Sequence, residues 1–82
     1  MYFTYILQSI KTGRYYIGSC DNVMVRFKQH NSGQVESTAP YRPYLIKRVE
    51  RFKTRVEARQ REKFLKSKKS KRIIEIVINS KQ

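Results

Sequence analysis

Alternating apolar and polar positions open the chain and then give way to a turn. Residues 2–8 (YFTYILQ) and 14–19 (RYYIGS) are rich in aromatic and β-branched side chains, which favour strands. Residues 9–13 (SIKTG) between them have the composition of a turn, in which Gly13 can adopt a positive φ at little cost. Two strands joined by so short a connection are expected to pair as an antiparallel hairpin.

The register of this hairpin decides which side chains share a face. Placing Leu7 opposite Arg14 also places Tyr5 opposite Tyr16, with Cβ atoms about 4.5–5.5 Å apart. Two tyrosines on one sheet face are more often a packed aromatic pair than a site. Gly18 follows on the same face, however, and a glycine inside a strand often marks the close approach of a ligand or another backbone.

The apolar spacing changes to a helical one from about Asp21. Three apolar residues then share one side of a helical wheel: Val23, Met24 and Phe27. Asp21 or Asn22 can cap this helix at its N-terminus, and Gly33 can end it in a left-handed conformation. Residues 34–43 contain both prolines and little periodicity, which indicates a loop available for motion or for substrate contact.

The second half of the chain reads as one strand and two helices. Residues 44–52 (YLIKRVERF) predict a third strand with its charged residues on an exposed side or edge. Thr54 and Glu57 have the spacing of a capping box and open a helix that runs to about Ser67. Residues 70–79 are richer in isoleucine than a typical helix and favour a strand by propensity, but a short final helix covering the sheet suits the architecture better.

The sum is an α+β domain over residues 1–82, with a three-stranded, mainly antiparallel sheet flanked by helices in the order β-β-α-β-α-α. Eighty-two residues suffice for one modest core. We find no run of about 18 apolar residues and no leader pattern, and the single cysteine, Cys20, cannot form an internal disulfide. We therefore expect a cytoplasmic protein that does not enter a membrane.

Charge gives the first indication of a partner. The chain carries 19 Lys and Arg against 6 Asp and Glu, a formal net charge of +13. Residues 47–72 hold 13 of the basic residues and three acidic ones. Self-repulsion at this level destabilises the compact state, so the charge points to a polyanionic partner. Nucleic acid fits better than an anionic membrane, because the basic stretch lacks the broad apolar face of an interfacial helix.

Three polar residues are candidates for chemistry at this stage. Arg26 and His30 are four residues apart at the edge of the apolar arc of the first helix, where side chains can reach a cleft beside the core. Arginine suits phosphate, and the only histidine can relay a proton or orient water. Glu62 either pairs with Lys66 one turn later or acts as a ligand for Mg²⁺, which often needs one or two carboxylates when a substrate phosphate supplies further oxygens.

Four segments, in order, carry a family resemblance. They are Phe3-Thr4-Tyr5-Ile6-Leu7, Tyr16-Ile17-Gly18, the Arg-x-x-x-His stretch within residues 22–33, and Ala58-Arg59-Gln60-Arg61-Glu62-Lys63. Together they resemble the GIY-YIG nuclease superfamily, in particular its small single-domain members, which are similar to the N-terminal domain of the bacterial excision-repair incision nuclease. The second half-motif is intact, whereas the first has Phe3-Thr4-Tyr5 in place of Gly-Ile-Tyr.

The resemblance implies an endonuclease that hydrolyses DNA phosphodiesters with one divalent metal, usually Mg²⁺, with Mn²⁺ as an alternative. Tyr5 or Tyr16 would align and help deprotonate the attacking water, and Arg26 would stabilise charge on the phosphoryl group. His30 would assist proton transfer or positioning, and Glu62 would hold the metal. DNA is favoured over RNA, with backbone or structure recognition, a role in DNA repair or recombination, and a dimer or accessory protein where both strands are cut.

Two other interpretations stay open on the sequence. Many members of the superfamily place an asparagine after the metal-binding glutamate, and Asn79 is the candidate here. The chain is then either a complete nuclease or a catalytically weak or inactive nucleic-acid-binding module of the same fold. A basic protein that docks on a larger repair or ribonucleoprotein assembly is the third interpretation.

Overall fold

The computed structural model describes residues 1–81 and contains a three-stranded sheet, three α-helices and one short 3-10 helix. The strands are β1 (Tyr2–Ser9), β2 (Tyr15–Cys20) and β3 (Tyr44–Phe52). The helices are α1 (Val23–Ser32), α2 (Arg55–Ser67) and α3 (Lys71–Ile78), and the 3-10 helix covers Ala39–Tyr41. The predicted fold class and element order are confirmed, including a helix rather than a strand at the C-terminal isoleucine-rich segment.

The sheet is antiparallel throughout, in the order β2-β1-β3, so β2 has a free edge. The predicted hairpin register was wrong by two residues, because Tyr5 faces Gly18 and Leu7 faces Tyr16. The cause is a tighter turn than expected: Ser9 N–H donates to Arg14 O at 2.8 Å, and Gly13 sits at φ 77. Since side chains alternate with a period of two, this shift preserves the face, and Tyr5 and Tyr16 stay diagonal neighbours.

Helix α1 covers one face of the sheet over a core of Tyr5, Leu7 and Tyr44. Asn22 caps α1 through its Oδ1, which accepts from Val25 N–H at 3.1 Å, and Gly33 ends it at φ 84. The predicted apolar arc was partly wrong, since Met24 is 57% exposed while His30, expected at the edge, is 0% exposed. The buried side of α1 follows positions 23, 27 and 30, so His30 occupies a core position.

Helices α2 and α3 cover the opposite face, over a core of Ile6, Ile17, Leu65 and Ile74. The predicted cap at Thr54 forms, with Thr54 Oγ1 accepting from Glu57 N–H at 3.2 Å. Helix α3 is capped as well, by Ser70 Oγ, which accepts from Ile73 N–H at 3.4 Å. Asn79 is an exposed residue that ends α3.

Two charged residues of β3 lie inside the domain, against the prediction that its charges would be exposed. Arg48 and Glu50 are 8% and 9% exposed. The cause is a bulge: the pairing of β1 with β3 shifts between Ile6 and Leu7, which turns Arg48 and Glu50 toward α2 and α3. Glu50 accepts from Arg48 Nε at 2.6 Å and from Arg61 Nε at 2.7 Å, so the charges compensate one another.

The connection between α1 and β3 is anchored to the core rather than free. Thr38 is 1% exposed, and the Ser9 hydroxyl donates to Tyr41 O at 2.5 Å. The segment was predicted as a loop available for motion or for substrate contact. Its buried Thr38 is tied to His30 of α1 by a hydrogen bond of 2.8 Å, which opposes free motion, and substrate contact stays a prediction. Within residues 1–81, none of the helices has the length and apolar character needed to span a bilayer.

Candidate active site

A cleft with a volume of about 520 Å³ lies at the free edge of β2 and takes side chains from both faces of the sheet. Its lining residues are Tyr5, Tyr16, Gly18, Ser19, Arg26, Arg59, Glu62, Lys63 and Lys66. Tyr16 and Gly18 lie on the α1 face of β2, and Ser19 lies on the α2 face because of the strand's alternation. The edge of the sheet is therefore where residues of α1 and α2 approach a common space.

Gly18 is required by the side chain opposite it. A Cβ at position 18 would lie 2.6 Å from Cζ of Tyr5 and even closer to its hydroxyl oxygen. The close approach expected at this glycine is therefore made by the Tyr5 ring. Because the ring lies over Gly18 of β2, the hydroxyl of Tyr5 reaches from β1 across to the cleft and to His30 of α1.

A buried hydrogen-bond chain starts at the Tyr5 hydroxyl. It lies 3.0 Å from His30 Nε2, and His30 Nδ1 lies 2.8 Å from Thr38 Oγ1. The Thr38 hydroxyl donates to Val35 O at 3.2 Å, so it accepts from His30, whose proton is then on Nδ1. Nε2 is left as an acceptor, and Tyr5 donates to it.

The electrostatics agree with a neutral imidazole. Burial, with the nearby Arg26 guanidinium adding to it, lowers the pKa of His30 from 6.5 to about 4. Burial also raises the pKa of Tyr5 above its ordinary value of 10, and a hydrogen bond from Arg26 opposes that rise. At neutral pH the pair is therefore a protonated phenol donating to a neutral histidine.

Tyr16 and Arg26 complete the α1 side of the cleft. The Tyr16 ring packs against both members of the buried pair, with centroids 6.4 Å from Tyr5 and 4.8 Å from His30. Unlike Tyr5, it is partly exposed. Arg26 is half-buried, and its Nη1 donates to Gln29 Oε1 at 2.9 Å, one turn along α1.

Glu62 reaches the cleft from the other face of the sheet. Its Oε1 accepts from the Ser19 hydroxyl at 2.6 Å, and its Oε2 pairs with Lys66 Nζ at 2.6 Å, the ion pair that the sequence spacing suggested. Burial pushes the pKa of Glu62 upward, but the hydrogen bonds from Lys66 and Ser19 outweigh it and bring the pKa below its usual value. Glu62 is therefore an ionised acceptor at neutral pH.

The donor set can be tested against the metal that the resemblance implies. Within residues 1–81 no group of three or more His, Cys, Asp and Glu residues gathers. A single ionised carboxylate fits Mg²⁺, which keeps several waters and takes oxygens from a substrate phosphate. Lys66 competes for one oxygen of Glu62, but its side chain is 50% exposed, and such helical pairs contribute only about 0.3–0.5 kcal/mol. The residues thus fit a single hard cation at Glu62.

The structure brings together four of the five candidate residues identified in the sequence: Tyr5, Tyr16, Arg26 and Glu62 line the cleft. His30 lies behind Tyr5, without exposed surface. Asn79 is not among the lining residues. Sequence reasoning missed Ser19 and Thr38. Strand alternation and the position of Glu62 in α2 are the signals for Ser19, whereas the unpatterned loop gives none for Thr38.

The comparisons with known proteins agree with this geometry. A family model described as the GIY-YIG catalytic domain matches residues 1–74. No curated protein matches the chain. Among solved structures, the chain is similar to a UPF0213 protein of Bacillus halodurans, determined by solution NMR, with 30% sequence identity and a TM-score of 0.58 over 95% of this chain and 83% of that one. The residues that the family model matches include the two tyrosine half-motifs, the Arg26–His30 helix and Glu62. The chain therefore belongs to the GIY-YIG family of endonucleases.

Proposed function

We propose that the protein is a metal-dependent endonuclease that hydrolyses phosphodiester bonds in DNA. The observation that carries this proposal is the convergence of Tyr5, Tyr16, Arg26 and Glu62 on one cleft, from four different elements of the fold. A purely structural role for each residue would not require them to face a common solvent-filled space.

The cleft is built to receive a phosphate. Arg26 contributes a guanidinium from α1, and α2 contributes three further cations: Arg59, Lys63 and Lys66. Charges fixed before the substrate arrives stabilise the developing negative charge without reorganising solvent. Arg26 is the best placed for this role, since its side chain is half-buried and held by Gln29. The three cations of α2 would hold the flanking backbone.

The two tyrosines have different roles in this proposal. Tyr16 is partly exposed in the cleft and would align the attacking water. Tyr5 donates its proton to His30, so its oxygen keeps one lone pair, besides the one directed at Arg26, that can accept a hydrogen bond from that water. His30, with its pKa lowered to about 4, is a weak base. We therefore assign it the positioning of Tyr5 rather than removal of a proton.

Glu62 would hold the metal ion, Mg²⁺ or Mn²⁺, after Lys66 moves to the substrate backbone. Such an ion lowers the pKa of bound water and neutralises charge on the phosphoryl group. Ser19 holds the Glu62 carboxylate through its other oxygen and so fixes its direction. A phenol with an ordinary pKa near 10 is a weak base at neutral pH, which is why the tyrosines alone would not suffice.

The substrate assignment follows from size and charge. A domain of 82 residues offers little surface for reading a long base sequence, so recognition of backbone or DNA structure is proposed. DNA is preferred to RNA, with a role in repair or recombination in the cytoplasm. Cleavage of both strands would require a second copy or an accessory protein.

One contact favours the second candidate, a nucleic-acid-binding module with little or no turnover. Lys66 occupies an oxygen of Glu62 that the metal would use. If the pair persists when DNA is bound, the domain keeps its positive cleft but does not acquire the metal. Binding that depends on salt, without turnover in Mg²⁺ on any substrate, would identify this case.

Cleavage of end-labelled plain, nicked and branched DNA in Mg²⁺ tests the proposal. We expect the Glu62→Gln variant to lose at least about 100-fold in rate while still binding DNA, because transition-state charge stabilisation is lost but the basic surface remains. The matched control is Glu57→Gln, in the same helix, whose side chain is exposed and does not line the cleft.

Two results would contradict the proposal. Cleavage that survives Glu62→Gln unchanged would come from a contaminating nuclease. Equal losses in Glu62→Gln and Glu57→Gln would indicate damage to α2 rather than removal of a metal ligand.

A further inference from the structure

A second groove, which we call the lysine groove, runs between β2 and the junction of α2 with α3 and has a volume of about 430 Å³. Its floor consists of buried apolar side chains, Ile17, Leu65 and Ile74. Tyr15 and Tyr16 also line it. Its rim is basic, with Arg14, Lys66, Lys68, Lys69 and Lys71. An apolar floor inside a ring of cations is an unusual combination for a surface that only faces water.

The lysine groove adjoins the candidate active site. Tyr16 and Lys66 line both spaces. A polynucleotide that places one phosphate in the cleft can therefore reach the groove past Tyr16 and Lys66. The volume lies within the range of small-molecule sites, about 300–1,000 Å³.

Two lysines of the rim lie at a position where positive charge destabilises a helix. Lys69 and Lys71 flank Ser70, the N-cap of α3, and no acidic residue occupies the first turn. The N-terminus of a helix carries partial positive charge and favours anions. The stability of α3 therefore gives no reason for this placement, whereas a bound phosphate would offset the repulsion.

We propose that the lysine groove binds the base of an unpaired nucleotide next to the scissile phosphate, with the adjoining phosphates on Lys69 and Lys71. The inference rests on the proposed function for the position of the scissile phosphate. The base stacks against Tyr15 and covers the apolar floor. Lys71 Nζ lies 5.9 Å from the centroid of the Tyr15 ring, so one cation and one aromatic face are already adjacent. Stacking platforms flanked by cations are typical of single-strand binding.

The base must be unpaired because both of its faces are covered inside a duplex. Only a nucleotide released from the stack can lay its base on the floor of the groove. The proposal thus specifies the substrate class as DNA with a single-stranded segment beside the cut, such as a flap or a splayed end.

The experiment compares the binding of two flap DNAs to the intact protein, by fluorescence anisotropy in Ca²⁺. The two oligonucleotides are identical except that the bases of the unpaired nucleotides beside the junction are present in one and replaced by abasic residues in the other. We expect the abasic DNA to bind about 5- to 150-fold more weakly, the range of a lost stacking contact. Duplex DNA carrying the same abasic residues should show no such difference.

Variants locate the effect. In Tyr15→Ala the two flap DNAs should bind equally, whereas Tyr15→Phe keeps the ring and should preserve the difference. Tyr15 packs on the core, so Tyr15→Ala can fail to fold. A second variant therefore tests the proposal without touching the core: the double substitution K69A and K71A removes two exposed charges from the rim. Its matched control, K47A and K53A, removes two exposed lysines outside the cleft and the groove.

The salt dependence distinguishes the two pairs of lysines. Loss of two phosphate contacts to a single strand lowers the slope of log Kd against log salt by about 1.4, and the control pair should leave it unchanged. The proposal for the lysine groove is overturned if the wild-type protein binds both flap DNAs equally, or if the two double variants have equal slopes of log Kd against log salt. Either result counts even if the protein cuts DNA. Absence of binding to any DNA overturns the proposed function as well.

Discussion

At the residue scale, the stability of the fold depends on whether one buried imidazole, that of His30, is neutral or protonated. An unfolded chain protonates His30 near pH 6.5, whereas the folded protein holds its pKa at about 4. Between these values the unfolded state binds the additional proton. The contribution of neutral His30 to the free energy of unfolding is thus complete above pH 6.5 and decreases as the pH falls toward 4.

We expect the free energy of unfolding to drop by about 2 kcal/mol between pH 7 and pH 5, since each unit of pKa difference corresponds to about 1.4 kcal/mol. Urea titrations at pH 7, 6 and 5 measure it. His30 is the only histidine of the chain, so its ring resonances also report its own titration without ambiguity. The lowered pKa values of Glu50 and Glu62 place their titration below this window. A free energy of unfolding that stays constant from pH 7 to pH 5 would contradict the neutral, buried state of His30.

Thr38 is the residue that fixes which nitrogen of His30 carries the proton. Thr38→Val keeps the shape but leaves His30 Nδ1–H without its acceptor, which costs about 1–3 kcal/mol of stability. Thr38→Ser keeps the hydroxyl and should retain most of the stability and the turnover. Nitrogen chemical shifts provide the readout that a packing role would not change: the Nδ1–H tautomer in wild type and Thr38→Ser, and a mixture in Thr38→Val. A pure Nδ1–H tautomer in Thr38→Val would show that Thr38 does not set it.

At the scale of elements, alternation and caps predicted most of the fold but not the position of the charges in β3. The strand bounds 44–52 and the capped helix from Thr54 follow from local residues, because propensity and capping act within one turn. A bulge depends on the pairing of two strands and leaves no mark on the alternation of either. The bulge placed Arg48 and Glu50 inside, and the pairing of Ser9 with Arg14 across the turn moved the hairpin register by two residues.

The compensated charges of β3 connect three elements. Glu50 pairs with Arg48 of its own strand and with Arg61 of α2, and Arg48 Nη1 donates to Ser80 O beyond α3 at 2.7 Å. Glu50→Ala leaves two guanidinium groups without their counterion, one of them buried. We expect a loss of about 3 kcal/mol in the free energy of unfolding, measured by urea titration at pH 7. Glu36→Ala, an exposed residue of the loop, is the control and should change it by less than about 0.5 kcal/mol. Equal effects of the two substitutions would show that the network does not stabilise the fold.

The candidate site was predictable from the sequence only in part, and the reason is geometric. The family motifs identify Tyr16, Arg26 and Glu62 without showing that Glu62 comes from the opposite face of the sheet. That arrangement depends on β2 being an edge strand, which follows from the position of β3 on the far side of β1. His30 was expected at the edge of the apolar arc rather than in the core, because the residues of one helix give no sign of a polar partner in another segment. Thr38 supplies that partner.

At the scale of the whole molecule, a net charge of +13 makes salt act in opposite directions on the free protein and on its complex. Like charges repel within the compact state, so added salt screens them and stabilises the fold. Binding to DNA releases counterions, so added salt weakens it. The same basic residues thus determine both responses.

Four cations line the cleft, which sets the size of the effect on binding. With about 0.9 counterions released for each phosphate contact, raising the salt from 50 to 200 mM should weaken duplex binding by about 100-fold. Over the same range Tm of the free protein should rise. Anisotropy and thermal unfolding at four salt concentrations measure both, and replacing chloride by glutamate controls for anion binding to the free protein. An affinity that does not change with salt would mean that the cleft cations do not contact phosphate. A falling Tm would mean that specific ion pairs, such as those of Glu50, outweigh the repulsion among the surface lysines.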